Sequence, residues 1–280
     1  MTIRNEQLRQ YLADARFEVL PLRGVLERAE QLPAGSTVTV TSSPTKGPDA
    51  TLEVASDLRA LGFQVVPHLA ARLIADRHQL VEVLDRMADA GLSEAFVIAG
   101  DSTEPAGEFP DALALLRAMD ELGRRPSRIG ITGYPERHAF ISDAAMIDAM
   151  ADKSAYADYI VSQICFDAYT IASWTKAVRA RGIELPIHIG VPGVVDATKL
   201  LRISLKIGLG DSMRFLRKQH GVVGKLLSRY TPEGLFDELA PYLIDPAYGL
   251  AGWHFFTFNE IARTQRFRHE MSTRLEEVSA

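Results

Sequence analysis

Eight short runs rich in β-branched and aromatic residues recur along the chain, at Phe17–Leu20, Thr37–Thr41, Gln64–Leu69, Ala95–Ala99, Arg128–Thr132, Tyr159–Gln163, Pro186–Val191 and Gly252–Phe258. Between them lie segments with helical spacing, such as Leu52/Ala55/Leu58/Leu61, Leu80/Val83/Leu84/Met87 and Ala112/Leu115/Leu116/Met119. Several close on glycine, at Leu61-Gly62, Ala90-Gly91 and Arg181-Gly182. A repeated strand-helix order requires a parallel sheet with crossover helices, and eight such units in 280 residues fit a closed (β/α)8 TIM barrel. An open doubly wound sheet wants a Gly-rich turn after its first strand, and Pro21-Leu22-Arg23-Gly24 does not supply one. The long interval from Val191 to Gly252 is expected to hold extra helices at about 210–219, 221–229 and 232–242, inserted between strands 7 and 8. No Pro/Gly/Ser tract isolates them, so residues 1–280 are expected to form a single barrel domain.

The formal charge of −5 argues against a nucleic-acid partner, since phosphate neutralisation needs a concentrated basic face. Arg214, Arg217 and Lys218 read as one solvated helix face. A single cysteine, Cys165, can form neither an internal disulfide nor a zinc site, so no metal is expected and a reducing cytoplasm is the simplest compartment. The N-terminal stretch lacks an apolar signal core, and no run approaches the roughly 18 apolar residues of a membrane span. Apolar residues of the inserted helices, Leu226, Leu227, Leu235 and Phe236, could form a homo-oligomer interface.

In a barrel, chemistry collects at the C-terminal ends of the strands. Here those ends carry Glu18, Thr41-Ser42-Ser43, His68, Gly100-Asp101, Tyr134 with Glu136 and His138, and Gln163. Each alone has an ordinary account: Glu18 a carboxylate at a solvated strand edge, His68 a core histidine, Gly100-Asp101 a turn or helix cap. Their common register is what those accounts do not explain.

The segments FEVLP, VTVTSSP, PHLA, AGD, GYPERH, SQICFD, IGVPG and WHFFTFN resemble, in order and spacing from Phe17 to Asn259, the methylenetetrahydrofolate reductases. The resemblance implies a (β/α)8 barrel that reduces 5,10-methylenetetrahydrofolate to 5-methyltetrahydrofolate. It makes Glu18 the general acid that protonates N10 of the folate, and Asp101 the carboxylate that binds the pterin and stabilises the iminium at N5. Gln163 and Tyr134 would contact the substrate.

The sequence departs from the family's flavin-binding pattern in two places. Where an R-G-D is usual after the fourth strand, Ile98-Ala99-Gly100-Asp101 stands. Where a basic cluster is usual after the fifth, Ile141–Lys153 carries Asp143, Asp148 and Asp152 with the single Lys153. A pyrophosphate would meet repulsion there, which calls FAD binding into question. The chain therefore looks most like the flavin-independent members, with NADH or NADPH as co-substrate. Thr41, Ser42, His68, Tyr134 and Gln163 would then line the nicotinamide pocket, while Lys46 reads as a solvated loop lysine. An FAD-dependent reductase and a pterin-binding barrel methyltransferase are the alternatives.

Overall fold

The computed structural model describes residues 3–43, 45–136, 143–206 and 229–277. A helix, α1 (Ile3–Ala13), leads into β1 (Arg16–Val19), and strand and helix then alternate: α2 (Val25–Ala29), β2 (Thr37–Val40), α3 (Gly47–Ala60), β3 (Gln64–Ala70), α4 (Arg77–Asp89) and β4 (Glu94–Ile98). The alternation continues through α5 (Ala112–Glu121), β5 (Arg128–Gly133), α6 (Asp143–Ser154), β6 (Tyr159–Ser162), α7 (Ala168–Ala180) and β7 (Ile187–Pro192). After a long excursion, β10 (Leu250–Phe256) pairs with both β7 and β1 in parallel. That pairing closes an eight-stranded parallel barrel in the order β1-β10-β7-β6-β5-β4-β3-β2.

The excursion differs in part from expectation. It holds β8 (Val195–Asp196), α8 (Ala197–Lys206), β9 (Arg229–Tyr230) and α9 (Glu233–Leu243), with β8 and β9 pairing antiparallel. The helix expected at about 232–242 is α9; α8 is an addition. The helix expected at about 210–219 lies outside the described residues, as does nearly all of that at 221–229, whose last residue Arg229 is in β9. Arg214, Arg217, Lys218, Leu226 and Leu227 also lie outside them. Leu235 and Phe236 do not offer an oligomer interface: both are buried, and Phe236 stacks on Trp253 of β10 at 3.8 Å between ring centroids. The barrel wall itself consumes the apolar face of α9.

The helices start where their sequence says they should. Asp76, Asp111 and Asp167 cap α4, α5 and α7, each carboxylate accepting a backbone N–H three residues on. Asp101 is therefore not a helix cap, because Asp111 fills that role for α5. Behind the caps, Leu80, Val83, Leu84 and Met87 of α4 join a continuous apolar layer between helices and barrel, to which Phe17 and Val19 of β1 also belong.

Because side chains alternate along a strand, the outward burial of Phe17 and Val19 turns Arg16 and Glu18 into the lumen. At the floor, Arg16 reaches across to Glu94 on β4 and to the Tyr159 hydroxyl on β6. Above it, Val66, Phe96, Tyr159 and Val161 form an apolar plug. Glycines make room: a Cβ on Gly130 would lie 2.3 Å from the Tyr159 ring, and one on Gly190 would lie 2.1 Å from the Ser162 carbonyl oxygen and 2.7 Å from the Phe256 ring. The alternation that packs the helices thus also selects which polar groups enter the barrel.

Candidate active site

Glu18 stands inside the mouth with its side chain only 15% exposed. Its Oε2 lies 3.2 Å from Nε2 of His254 on β10 and 3.7 Å from Nε2 of His68 on β3. Since β3 is not a neighbour of β1, the second contact crosses the lumen. Burial drives the Glu18 carboxyl up from 4.5 to about 7, against a smaller downward pull from His68. The imidazoles move the other way. Burial lowers His68 to about 4, partly offset by Glu18, and lowers His254 to about 3, with the Arg16 guanidinium lowering both further. Near neutrality the buried group that holds a proton reversibly is the carboxyl, because an imidazolium above Arg16 would face like charge in a desolvated lumen.

The backbone around Glu18 is clamped. Thr257 donates from its Oγ1 to the Glu18 carbonyl at 2.6 Å, and Asn259 pairs with Leu20 through both ends of its amide, at 2.8 and 3.0 Å. Asn259 adopts a left-handed φ of 62°, which asparagine tolerates better than most residues.

The other predicted residues divide. His68 is buried, with its ring 4.8 Å from that of Phe96 and its Nε2 3.7 Å from Oε2 of Glu18. Gln163 follows β6 directly, and its Oε1 accepts from the Ile164 N–H at 2.8 Å. Asp101 is exposed in the loop after β4, following Gly100 at φ 92°, and makes no hydrogen bond or ion pair with the described residues. Thr41 has a buried Oγ1 without a hydrogen-bond partner among the described residues, while Ser42 is half-buried beside it. Tyr134 is exposed and lines a cleft of about 200 Å³ with Met146, Lys153 and Trp174. Lys46 is exposed ahead of α3, and His138 lies outside the described residues. Cys165 is buried, and burial pushes its thiol up, which makes it a poor nucleophile. Among the described residues there is no His/Cys/Asp/Glu cluster that could hold a metal, and no helix long and apolar enough to cross a membrane.

His254, Thr257 and Asn259 were not singled out from sequence, although WHFFTFN contains all three. The available signal was alternation: with Trp253 and Phe255 packed outward, His254 must point inward.

A closed barrel with a protonable glutamate at its mouth is what the reductase resemblance requires, and comparison with known proteins decides the matter. Residues 21–208 match the methylenetetrahydrofolate reductase family. The chain belongs to that family. Saccharomyces cerevisiae methylenetetrahydrofolate reductase 2 is 24% identical over 156 residues, 52% of this chain and 25% of the yeast protein. A probable methylenetetrahydrofolate reductase (NADPH) of Caenorhabditis elegans is 25% identical over 197 residues, 64% of this chain and 29% of that protein. The matched region thus spans about a quarter of the length of these relatives. A Clostridium thermocellum protein solved with two copies of 5-methyl-5,6,7,8-tetrahydrofolic acid shares the fold at a TM-score of 0.64 and 11% identity, covering 97% of this chain and 99% of its own.

A carboxyl raised from 4.5 to about 7 also leaves a mark on stability. The fold favours the protonated form, so this contribution is complete below about pH 4.5 and is lost as pH rises through about 7. At about 1.4 kcal/mol per pH unit it amounts to about 3 kcal/mol. Glu18→Gln is expected to raise stability over the parent at pH 8 and to match it near pH 5, as read by urea denaturation. Equal gains at both pH values would place the carboxyl in an ordinary environment.

Proposed function

We propose that this reductase-family chain converts 5,10-methylenetetrahydrofolate to 5-methyltetrahydrofolate, taking hydride directly from NADH or NADPH without a flavin relay. The observation that carries the reading is Glu18: a carboxyl held near pKa 7 at the C-terminal mouth of a closed barrel. Such a group donates a proton and recovers it at neutral pH. Its proton goes to N10, the bond from N10 to the bridging carbon breaks with its electron pair going to N10, and the bridging carbon becomes an iminium with N5. Hydride from the nicotinamide then adds to that carbon and yields the 5-methyl group. Asp101 supplies a carboxylate that stabilises the cation, and Gln163 donates from Nε2 to a pterin or nicotinamide carbonyl. Thr41, Ser42 and Tyr134 complete the walls. The Clostridium thermocellum relative's bound methyltetrahydrofolate is in keeping with this substrate class.

The flavin-free form draws support from α6. Asp148 is committed to Arg181 on α7 at 2.7 Å, Asp152 is exposed, and Lys153, half-buried beside Tyr134, has its amine lowered by burial. That set of charges fits a flavin pyrophosphate poorly. Without a stored hydride, nicotinamide and pterin must occupy the mouth together with donor and acceptor carbons about 3–3.5 Å apart. Initial-rate plots with both substrates varied should therefore intersect, and protein free of flavin should turn over. Parallel lines, or activity that appears only on adding FAD, would overturn direct transfer and leave the folate reading in place.

A further inference from the structure

The carboxyl of Glu18 is not symmetric. Both imidazoles converge on one of its oxygens, Oε2, with His254 at 3.2 Å and His68 at 3.7 Å, while Oε1 has no hydrogen-bond partner among the described residues. His254 is itself almost fully buried at 1% side-chain exposure, and its Nδ1 is buried without a hydrogen-bond partner among the described residues. A neutral imidazole has one N–H. With Nδ1 facing nothing that accepts or donates, the tautomer that satisfies the ring puts the hydrogen on Nε2, where it meets Glu18 Oε2.

The barrel holds the ring in that place from every side. His254 sits opposite Arg16 in the β1 ladder and opposite Gly190 in the β7 ladder, and its ring packs at 5.0 Å against Phe256. The charged and titratable groups around it are Glu18 and Arg16 on β1, His68 on β3 and His188 on β7. Arg16 is itself paired with Glu94 and Tyr159 on the far wall. Burial and Arg16 keep His254 neutral, and His188 is likewise lowered by burial.

We propose that His254 is a positioning residue for the general acid: its Nε2–H occupies Oε2 of Glu18 and so confines the transferable proton to Oε1, the oxygen that neither imidazole meets. A carboxylic acid with two open oxygens would place its proton on either, and only one orientation meets an incoming N10. A neutral donor on Oε2 also favours the carboxylate left after proton transfer without adding charge to the lumen, which an imidazolium would do. The consequence for turnover rests on the reductase reading; the hydrogen bond and its effect on Glu18 do not.

The test compares His254→Gln, whose amide N–H can reach Oε2, with His254→Asn, which offers the same group on a shorter stem. The full-length protein is labelled with carboxyl-¹³C glutamate, and the Glu18 resonance is assigned by its loss in Glu18→Gln. The Glu18 midpoint is expected to stay within a few tenths of a unit of the parent in His254→Gln and to rise by about one unit in His254→Asn, the size of one hydrogen bond to a charged group. With methylenetetrahydrofolate and NADH, kcat should fall about tenfold in the Asn variant and recover in the Gln variant, with the folate KM changed less than about twofold in both. An unchanged midpoint in the Asn variant, or equal kcat losses in the two variants, would reject the positioning role. The unmodified protein supplies a check that needs no variant to fold: ¹⁵N spectra should show His254 as the neutral Nε2–H tautomer across about pH 5–9, and an Nδ1–H tautomer would overturn the assignment. Titration as proposed in a protein without NADH- or NADPH-dependent turnover would instead defeat the reductase reading while leaving the His254 contact intact.

Discussion

Glu18→Gln is expected to lower kcat by about 10²–10⁴, the range for losing a positioned general acid, while binding of 5-methyltetrahydrofolate changes little. The reasoning is geometric as well as chemical. Glutamine keeps the length of the side chain and an oxygen or an amide toward His254, and it enters a site whose apolar plug and backbone clamp do not depend on its charge. What disappears is a proton that can leave. Ring opening then has to proceed with N10 departing as an anion or with water as the acid, and the half-buried mouth disfavours both. The loss should be nearly flat with pH in the variant, whereas the parent's kcat should decline as pH rises through about 7, the midpoint at which Glu18 gives up its proton. Steady-state kinetics from pH 6 to 9, as a rough window, with product affinity measured separately, reads both effects. A variant with near-parental turnover would return Glu18 to a purely structural account.

Asp101→Asn is the second large effect. On the proposed reaction, asparagine would retain hydrogen bonding to the pterin but remove the charge that would face a cation in the transition state. The expected cost is about 2–4 kcal/mol of transition-state stabilisation, or a loss in kcat of about 30- to 900-fold. Stability should not follow, because Asp101 is exposed, holds no ion pair with the described residues, and caps no helix, that role belonging to Asp111. Thermal melting and steady-state rates on the same preparation separate the outcomes: a lowered melting temperature with unchanged kcat would make Asp101 a loop residue and nothing more.

Much of the barrel was legible because its determinants are local. The eight apolar runs, the glycines that close several helices, and the helical spacing of Leu80/Val83/Leu84/Met87 each act within a few residues, so pattern alone carries them. The stretch after β7 was less legible for the same reason. Two-residue strands such as Val195–Asp196 and Arg229–Tyr230 have no period of their own and exist only by pairing with each other across more than thirty positions. Phe236 shows the other limit. An apolar residue on an amphipathic helix reads equally as an interface or as core, and only the arrival of Trp253 beneath it settles which.

The site divides along the same line. Sequence by itself determined that the chain builds a parallel barrel, that Glu18 falls at the end of its first strand, and that Asp101 and Gln163 follow the fourth and sixth, because strand position and two-residue alternation are properties of consecutive residues. Only the tertiary structure decided that His68 packs against Glu18 across the lumen, that Gln163 spends its oxygen on the Ile164 N–H, and that Oε2 of Glu18 is the oxygen both imidazoles approach. Glu18 and His254 are 236 residues apart and meet because β10 closes the barrel against β1. Closure removes the carboxyl from water, and that desolvation, which no local pattern encodes, lifts an ordinary glutamate to a pKa near neutrality against the smaller downward pull of His68.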